Sequence, residues 1–229
     1  MSQPPRNLIA VVFDMDGVLI DSERVIRHAA RHAAVEIDRV LTDDFYMQVM
    51  GLPGQQVEAA FMREFGADFP LADYRQRFER LYRAALQTNG IQAKPGVPAL
   101  LQSLRRHGIP IAVATATRSG NAESALAAAG LIEHLPVCVT GDQVTNGKPA
   151  PDIFLAAAAR LGIPAEACIA VEDSEVGARA AVAAGMRTLM VPDFRPPSAE
   201  LRSLVHEVLE TMPHAATRIH ALLGLAPAC

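Results

Sequence analysis

Short continuous apolar runs alternate, over much of this chain, with longer stretches in which apolar residues recur every three or four positions. The first run, residues 8–13, reads as a buried strand, because it is apolar throughout rather than at every second position. Beyond residue 91 the alternation becomes regular. Residues 97–107 read as a helix with Pro98 in its first turn, 109–114 as a strand, 121–129 as a helix and 135–139 as a short strand. Residues 151–161 read as a helix, 167–171 as a strand, 176–184 as a helix and 188–191 as the last strand, with a helical stretch near 215–225. Gly130, Gly162 and Gly185 each follow a helical run, where a left-handed residue closes the helix at least cost.

This order of elements predicts an α/β fold, a Rossmann-like, doubly wound, mainly parallel sheet. Between its first strand and the rest, the pattern changes. Helical spacings such as Val25, Ile26, Ala29, Ala30, Ala33 and Val57, Ala60, Phe61, Phe65 are broken by Gly51, Pro53, Gly54 and Pro70. This stretch holds all three tyrosines and five of the eight phenylalanines, enough for a small aromatic core of its own. The expected organisation is a core begun by residues 1–20, an α-helical cap over 21–92 and the remainder of the core over 93–229. The segments 19–22 and 92–95, where the chain leaves and returns, are candidates for a hinge.

Composition narrows the class. A chain of 229 residues, half hydrophobic and one-fifth charged, is long and apolar enough for a packed core. A net charge of −4 offers no footprint for nucleic acid. Cys138, Cys168 and Cys229 are far apart, odd in number and without a CxxC pair, which points to a reducing, cytoplasmic setting. The polar first six residues lack the pattern of a secretion signal, and no apolar stretch is long enough to span a membrane. The seven histidines show no metal-ligand spacing. The expectation is a cytoplasmic protein with no nucleic-acid, membrane or obligate protein partner.

The chemistry lies at the strand ends. The first strand stops at Asp14-Met15-Asp16-Gly17, and another stops at Glu172-Asp173-Ser174. Buried strands have no packing use for such carboxylates, whereas a hard cation such as Mg²⁺ does. In doubly wound sheets, ligands sit beyond these carboxyl ends. Asp14 is the candidate nucleophile. Asp16, one residue on, is the candidate acid and base, with its carbonyl offered to the metal. The hydroxyl of Thr115 and the backbone N–H groups of Ala116 and Thr117 are candidates for phosphoryl oxygens. Lys148, between Gly147 and Pro149, would offset negative charge. Glu172 and Asp173 would complete the cation site, Asp173 directly and Glu172 directly or through water.

Together, Asp14-Met15-Asp16-Gly17-Val18-Leu19-Ile20-Asp21-Ser22-Glu23, Thr115, Gly147-Lys148-Pro149-Ala150-Pro151-Asp152 and Val171-Glu172-Asp173-Ser174 resemble the haloacid dehalogenase-like hydrolase superfamily across essentially the whole chain. The sequence is most similar to the branch of β-phosphoglucomutase-like enzymes and sugar-phosphate phosphatases with an α-helical cap. The resemblance implies an aspartyl-phosphate on Asp14, acid–base work by Asp16, phosphate contacts from Thr115 and Lys148, and Mg²⁺ held by Asp14, the Asp16 carbonyl, Glu172 and Asp173. Mutases of this branch carry a cap histidine where this chain has Ile26, and basic cap-loop residues where it has Met50 and Gly54; Arg118 alone matches a basic residue used for a second phosphate. The expected activity is therefore Mg²⁺-dependent hydrolysis of a small phosphomonoester, a sugar phosphate. Leu52, Gln55, Gln56 and Arg118 are expected to select that substrate. A sugar-phosphate mutase and a non-catalytic binding protein are the alternatives.

Overall fold

A computed structural model describes residues 8–50, 52 and 54–226, with only the backbone of Gly54, Gln55 and Asn89. The readings made of residues 1–6, Gly51, Pro53 and Cys229 lie outside the described residues. In chain order the elements are β1 (Ala10–Phe13), β2 (Ile20–Asp21), α1 (Glu23–Val35), α2 (Asp43–Val49), α3 (Gly54–Phe65), α4 (Leu71–Asn89) and β3 (Gln92–Ala93). They continue with α5 (Val97–Arg106), β4 (Ile111–Thr115), α6 (Ser119–Ala128), β5 (Val137–Thr140), α7 (Asp152–Leu161) and β6 (Cys168–Glu172). The chain closes with α8 (Glu175–Ala183), β7 (Arg187–Met190), α9 (Ala199–Leu204), β8 (Glu207–Val208) and α10 (Met212–Leu222).

Two compact units result: the chain up to Asp21 together with everything from Gln92 onward, and the inserted Ser22–Ile91. In the first, six strands form one sheet in the order β5-β4-β1-β6-β7-β8, and every pairing is parallel. β1 and β6 are buried at every residue, as central strands covered on both faces must be. Val11 and Val12 pair with Ile111 and Ala112 on one side and with Ile169 and Ala170 on the other. Phe154, Ile153 and the small residues Ala112, Ala114, Ala157, Ala170 and Ala180 fill part of the interior. Alanine at facing positions brings helix and sheet backbones close, and α7 packs against β4 and β5 in this way.

The sheet corrects several expected boundaries. Thr115 and Glu172 are the last residues of β4 and β6 rather than the first residues past them. Strand 188–191 is not the last: β8 adds an edge by pairing Leu189 with Glu207 and Met190 with Val208. A two-residue strand carries no apolar run, so hydrophobic pattern alone could not reveal it. His220 is buried, with Nδ1 donating to the Ala216 carbonyl at 2.8 Å and Nε2 accepting from the Ser103 hydroxyl at 2.8 Å. Both ring nitrogens are thus spent on the fold. Among the described residues, no helix is long and apolar enough to cross a membrane.

The inserted unit is four helices, α1 to α4, around an aromatic cluster. Phe61 is its centre, with Phe45 edge-on at 5.1 Å, Tyr74 at 4.9 Å and Phe69 at 5.3 Å between ring centroids. Phe65 stacks on Phe69 at 5.2 Å. Thr42 caps α2 by accepting from the Phe45 amide at 3.2 Å, and this cap sets the start of the helix that carries Phe45 into the cluster.

Candidate active site

The parallel arrangement brings the carboxyl ends of β4, β1 and β6 side by side, and the acidic residues stand there. Asp14 follows β1 directly, its N–H donating to the Val171 carbonyl at 2.9 Å. That bond extends the β1–β6 ladder one step and fixes the carboxylate over the end of β6. Its side chain is 9% exposed. Lys148 reaches it from the loop before α7: Nζ lies 2.5 Å from Asp14 Oδ1 and 2.5 Å from Glu172 Oε1. The same ammonium sits 5.1 Å from the centroid of the Phe154 ring, and Lys148 joins Pro149 through a cis peptide bond.

Glu172 is fully buried. Its second oxygen, Oε2, accepts from the Asp173 amide at 3.0 Å, the Ser174 amide at 3.2 Å and the Ser174 hydroxyl at 3.1 Å. Ser174 in turn caps α8, accepting from the Gly177 amide at 3.1 Å. Helix cap and acidic site are thus one hydrogen-bonded construction. With Lys148, four donors reach Glu172, three on Oε2 and one on Oε1.

Asp14, Glu172 and Asp173 each offer an oxygen within 4.8 Å of the others. Three carboxylates face one ammonium. Burial pushes the Asp14 carboxyl up to about 8; Lys148 opposes this, while Glu172 and Asp16 add to it. Burial, followed by the charges of Glu172 and Asp14, also raises Asp173 well above the ordinary carboxylate value. For Lys148 burial disfavours the charge, but the two carboxylates outweigh it and hold the ammonium protonated. The excess of negative charge and the all-oxygen donor set fit a hard divalent cation such as Mg²⁺.

Asp16 stands apart from that cluster. Its Oδ2 accepts from the Thr117 hydroxyl at 2.7 Å, and its Oδ1 is buried with no hydrogen-bond partner. Thr115 is buried at the end of β4, and its Oγ1 accepts from the Thr117 N–H at 3.1 Å. The Thr117 amide is therefore used within the loop, which corrects the expectation that it is open to an anion. Ala116 is exposed, and Arg118 is exposed at the start of α6. Of the other expected selectors, Leu52 is partly buried and Gln56 exposed in the inserted unit, while the side chain of Gln55 lies outside the described residues.

Two residues escaped the reading of the sequence. Asp193, just past β7, pairs with Lys94 at 2.5 Å, with side chains 19% and 18% exposed. Its Oδ2 lies 3.3 Å from the point where a Cβ on Gly17 would stand, and Asp173 Oδ2 crowds the same point. Gly17, at φ +79°, passes between these carboxylates because it has no side chain. The signal for Asp193 was present: it stands near a strand's carboxyl end, as Asp173 does.

Residues 11–191 match the family model described as haloacid dehalogenase-like hydrolase. The chain is 33% identical over 184 residues to the phosphorylated carbohydrates phosphatase of Thermotoga maritima, covering 79% of this chain and 83% of that protein. It is 30% identical over 194 residues to the β-phosphoglucomutase of Bacillus subtilis, covering 82% and 84%. The crystal structure of CbbY from Rhodobacter sphaeroides in complex with phosphate superimposes with a TM-score of 0.80 at 30% identity, over 90% of this chain and 95% of that one.

Proposed function

The chain belongs to the haloacid dehalogenase-like hydrolases, and from that membership we propose that it is a Mg²⁺-dependent phosphatase of small phosphomonoesters, sugar phosphates among them, working through Asp14. Relatives named as phosphatases of phosphorylated carbohydrates and of hexitols support the substrate class. One observation carries the assignment of residues: the Lys148 ammonium bridges Asp14 and Glu172 at 2.5 Å in a buried cluster that keeps an excess of carboxylates.

Asp14 and Asp173 would hold the cation directly, with the Asp16 carbonyl as a further oxygen. Glu172 orients Lys148 through Oε1 and the Asp173 amide through Oε2, and Oε1 would keep a lone pair for the cation or a water bound to it. The cation supplies positive charge for the phosphoryl oxygens. The protein does the rest. Thr115 offers its hydroxyl to the phosphate, and Lys148 stands beside the attacking carboxylate. An oxygen of Asp14 bonds to phosphorus as the ester P–O bond breaks, and Asp16 gives its proton to the departing oxygen. Asp16 then takes a proton from water as that water attacks the aspartyl-phosphate, freeing phosphate and restoring Asp14.

The mutase alternative lacks support where it needs it, since α1 carries Ile26 in place of a histidine. Release of inorganic phosphate from a panel of sugar and polyol phosphates tests the proposal. Expected is turnover abolished by Asp14→Asn and by chelation of divalent cations. Conversion of β-glucose 1-phosphate to glucose 6-phosphate, with a bisphosphate activator and little free phosphate, would establish the mutase instead. Absence of turnover across the panel would favour a binding role.

A further inference from the structure

Resting on this reading of Asp16, we propose that Thr117 is a positioning residue for the proton-transferring carboxylate, not a ligand of the phosphate. Each polar group of Thr117 is directed into the protein. Its hydroxyl donates to Asp16 Oδ2 at 2.7 Å, its N–H donates to Thr115 Oγ1 at 3.1 Å, and its carbonyl accepts from the Gly141 N–H at 3.2 Å. Gly141 closes on the loop from the end of β5. A Cβ there would overlap the Ala116 carbonyl, so the absence of a side chain permits the contact. The loop is thereby tied to β4 behind it and to β5 beside it, and its one hydroxyl hydrogen is spent on Asp16.

The two oxygens of Asp16 are consequently unequal. Oδ2 is pinned. Oδ1 is buried and has no hydrogen-bond partner among the described residues. Leaving such an atom unsatisfied is unfavourable, and a partner supplied by substrate or water removes that cost. The geometry therefore assigns the proton to Oδ1. In the first step, Oδ1–H passes its proton to the ester oxygen, which keeps the electron pair of the breaking P–O bond. In the second, Oδ1 accepts a proton from water as the water oxygen bonds to phosphorus and the bond to Asp14 breaks. Thr117 takes no part in either transfer; it fixes the rotation of the carboxylate that does.

The test compares Thr117→Val, Thr117→Ser and Asp16→Asn by rapid mixing with two esters in saturating Mg²⁺. One is an alkyl sugar phosphate, whose leaving oxygen needs a proton. The other is p-nitrophenyl phosphate, whose phenolate leaves without one. Thr117→Val should slow phosphorylation by the alkyl ester about 10- to 100-fold with KM little changed. On the aryl ester it should keep the burst of nitrophenolate and lose only the later turnover. Thr117→Ser should restore most of the rate. If Thr117→Val does not fold, the comparison of Thr117→Ala with Thr117→Ser carries the same test. A raised KM with kcat intact on both esters would make Thr117 a phosphate ligand, and wild-type rates on both, or failure of a folded Ser variant to restore, would also overturn the proposal. Asp16→Asn separates the two levels. If it leaves the alkyl ester unaffected, the reading of Asp16 fails; if it abolishes that rate while Thr117→Val does not, only the role of Thr117 fails.

Discussion

The carboxylate of Glu172 occupies the space that a side chain on Gly177 would need, so the first turn of α8 and the end of β6 interlock. This contact yields a prediction whose sign opposes helix propensity. Alanine in place of a helical glycine ordinarily stabilises by about 1 kcal/mol. Gly177→Ala should instead destabilise the protein and displace Glu172 from Lys148, with kcat falling by about 10²-fold or more. Thermal melts and steady-state kinetics on the same preparation check both parts.

Lys148→Met removes the one ammonium between Asp14 and Glu172. Leaving buried carboxylates without their cationic partner typically costs about 3–5 kcal/mol. The loss should be greatest in chelator and smaller in Mg²⁺, because the added ion replaces part of the missing positive charge. Denaturant unfolding under the two conditions measures it, and kcat in Mg²⁺ should fall.

The metal-free site should depend on pH in one direction. Asp14 is raised from 3.8 to about 8, and Asp173 is raised as well. Across that window the folded chain binds more protons than the unfolded chain, so the contribution of these groups to stability is present at low pH and is lost as pH rises towards 8. Mg²⁺ needs the ionised carboxylates, so its stabilisation should grow over the same range. At a concentration 100-fold above its dissociation constant it should add about 2.7 kcal/mol. Melting curves near pH 6 and near pH 8, with chelator or Mg²⁺, should show a larger Mg²⁺-dependent rise in Tm at the higher pH.

In the inserted unit, Phe61→Ala should be the most damaging single truncation of the aromatic cluster, since Phe45, Phe65, Phe69 and Tyr74 all contact its ring. Replacing a buried phenylalanine by alanine costs about 3–5 kcal/mol. Hydrogen exchange should show protection lost first in α2 and α3, while the amides of β1 and β6 stay protected.

The sheet was legible because buried parallel strands must be apolar along their whole length, as Ala10–Phe13 and Cys168–Glu172 are up to the acidic residue. β8 was not, because an edge of two residues, Glu207 and Val208, carries no such run. Asp14, Glu172 and Asp173 could be grouped from sequence because each stands at the carboxyl end of an apolar run, where a parallel sheet binds its ligands. What linear spacing hides is how a side chain turns: that the Thr117 hydroxyl bonds to Asp16, and that Asp193 is steadied by Lys94. These contacts join residues about a hundred positions apart, and no periodicity reports them.

Ile20 and Asp21 of β2 pair antiparallel with Ala93 and Gln92 of β3. The two ends of a seventy-residue excursion are therefore clasped together at one spot, and the sheet is threaded as though the excursion were absent. Such a segment behaves as a cassette. It can be lengthened, shortened or exchanged without shifting the register of any core strand, because its two ends are joined by a ladder that lies outside the six-stranded sheet.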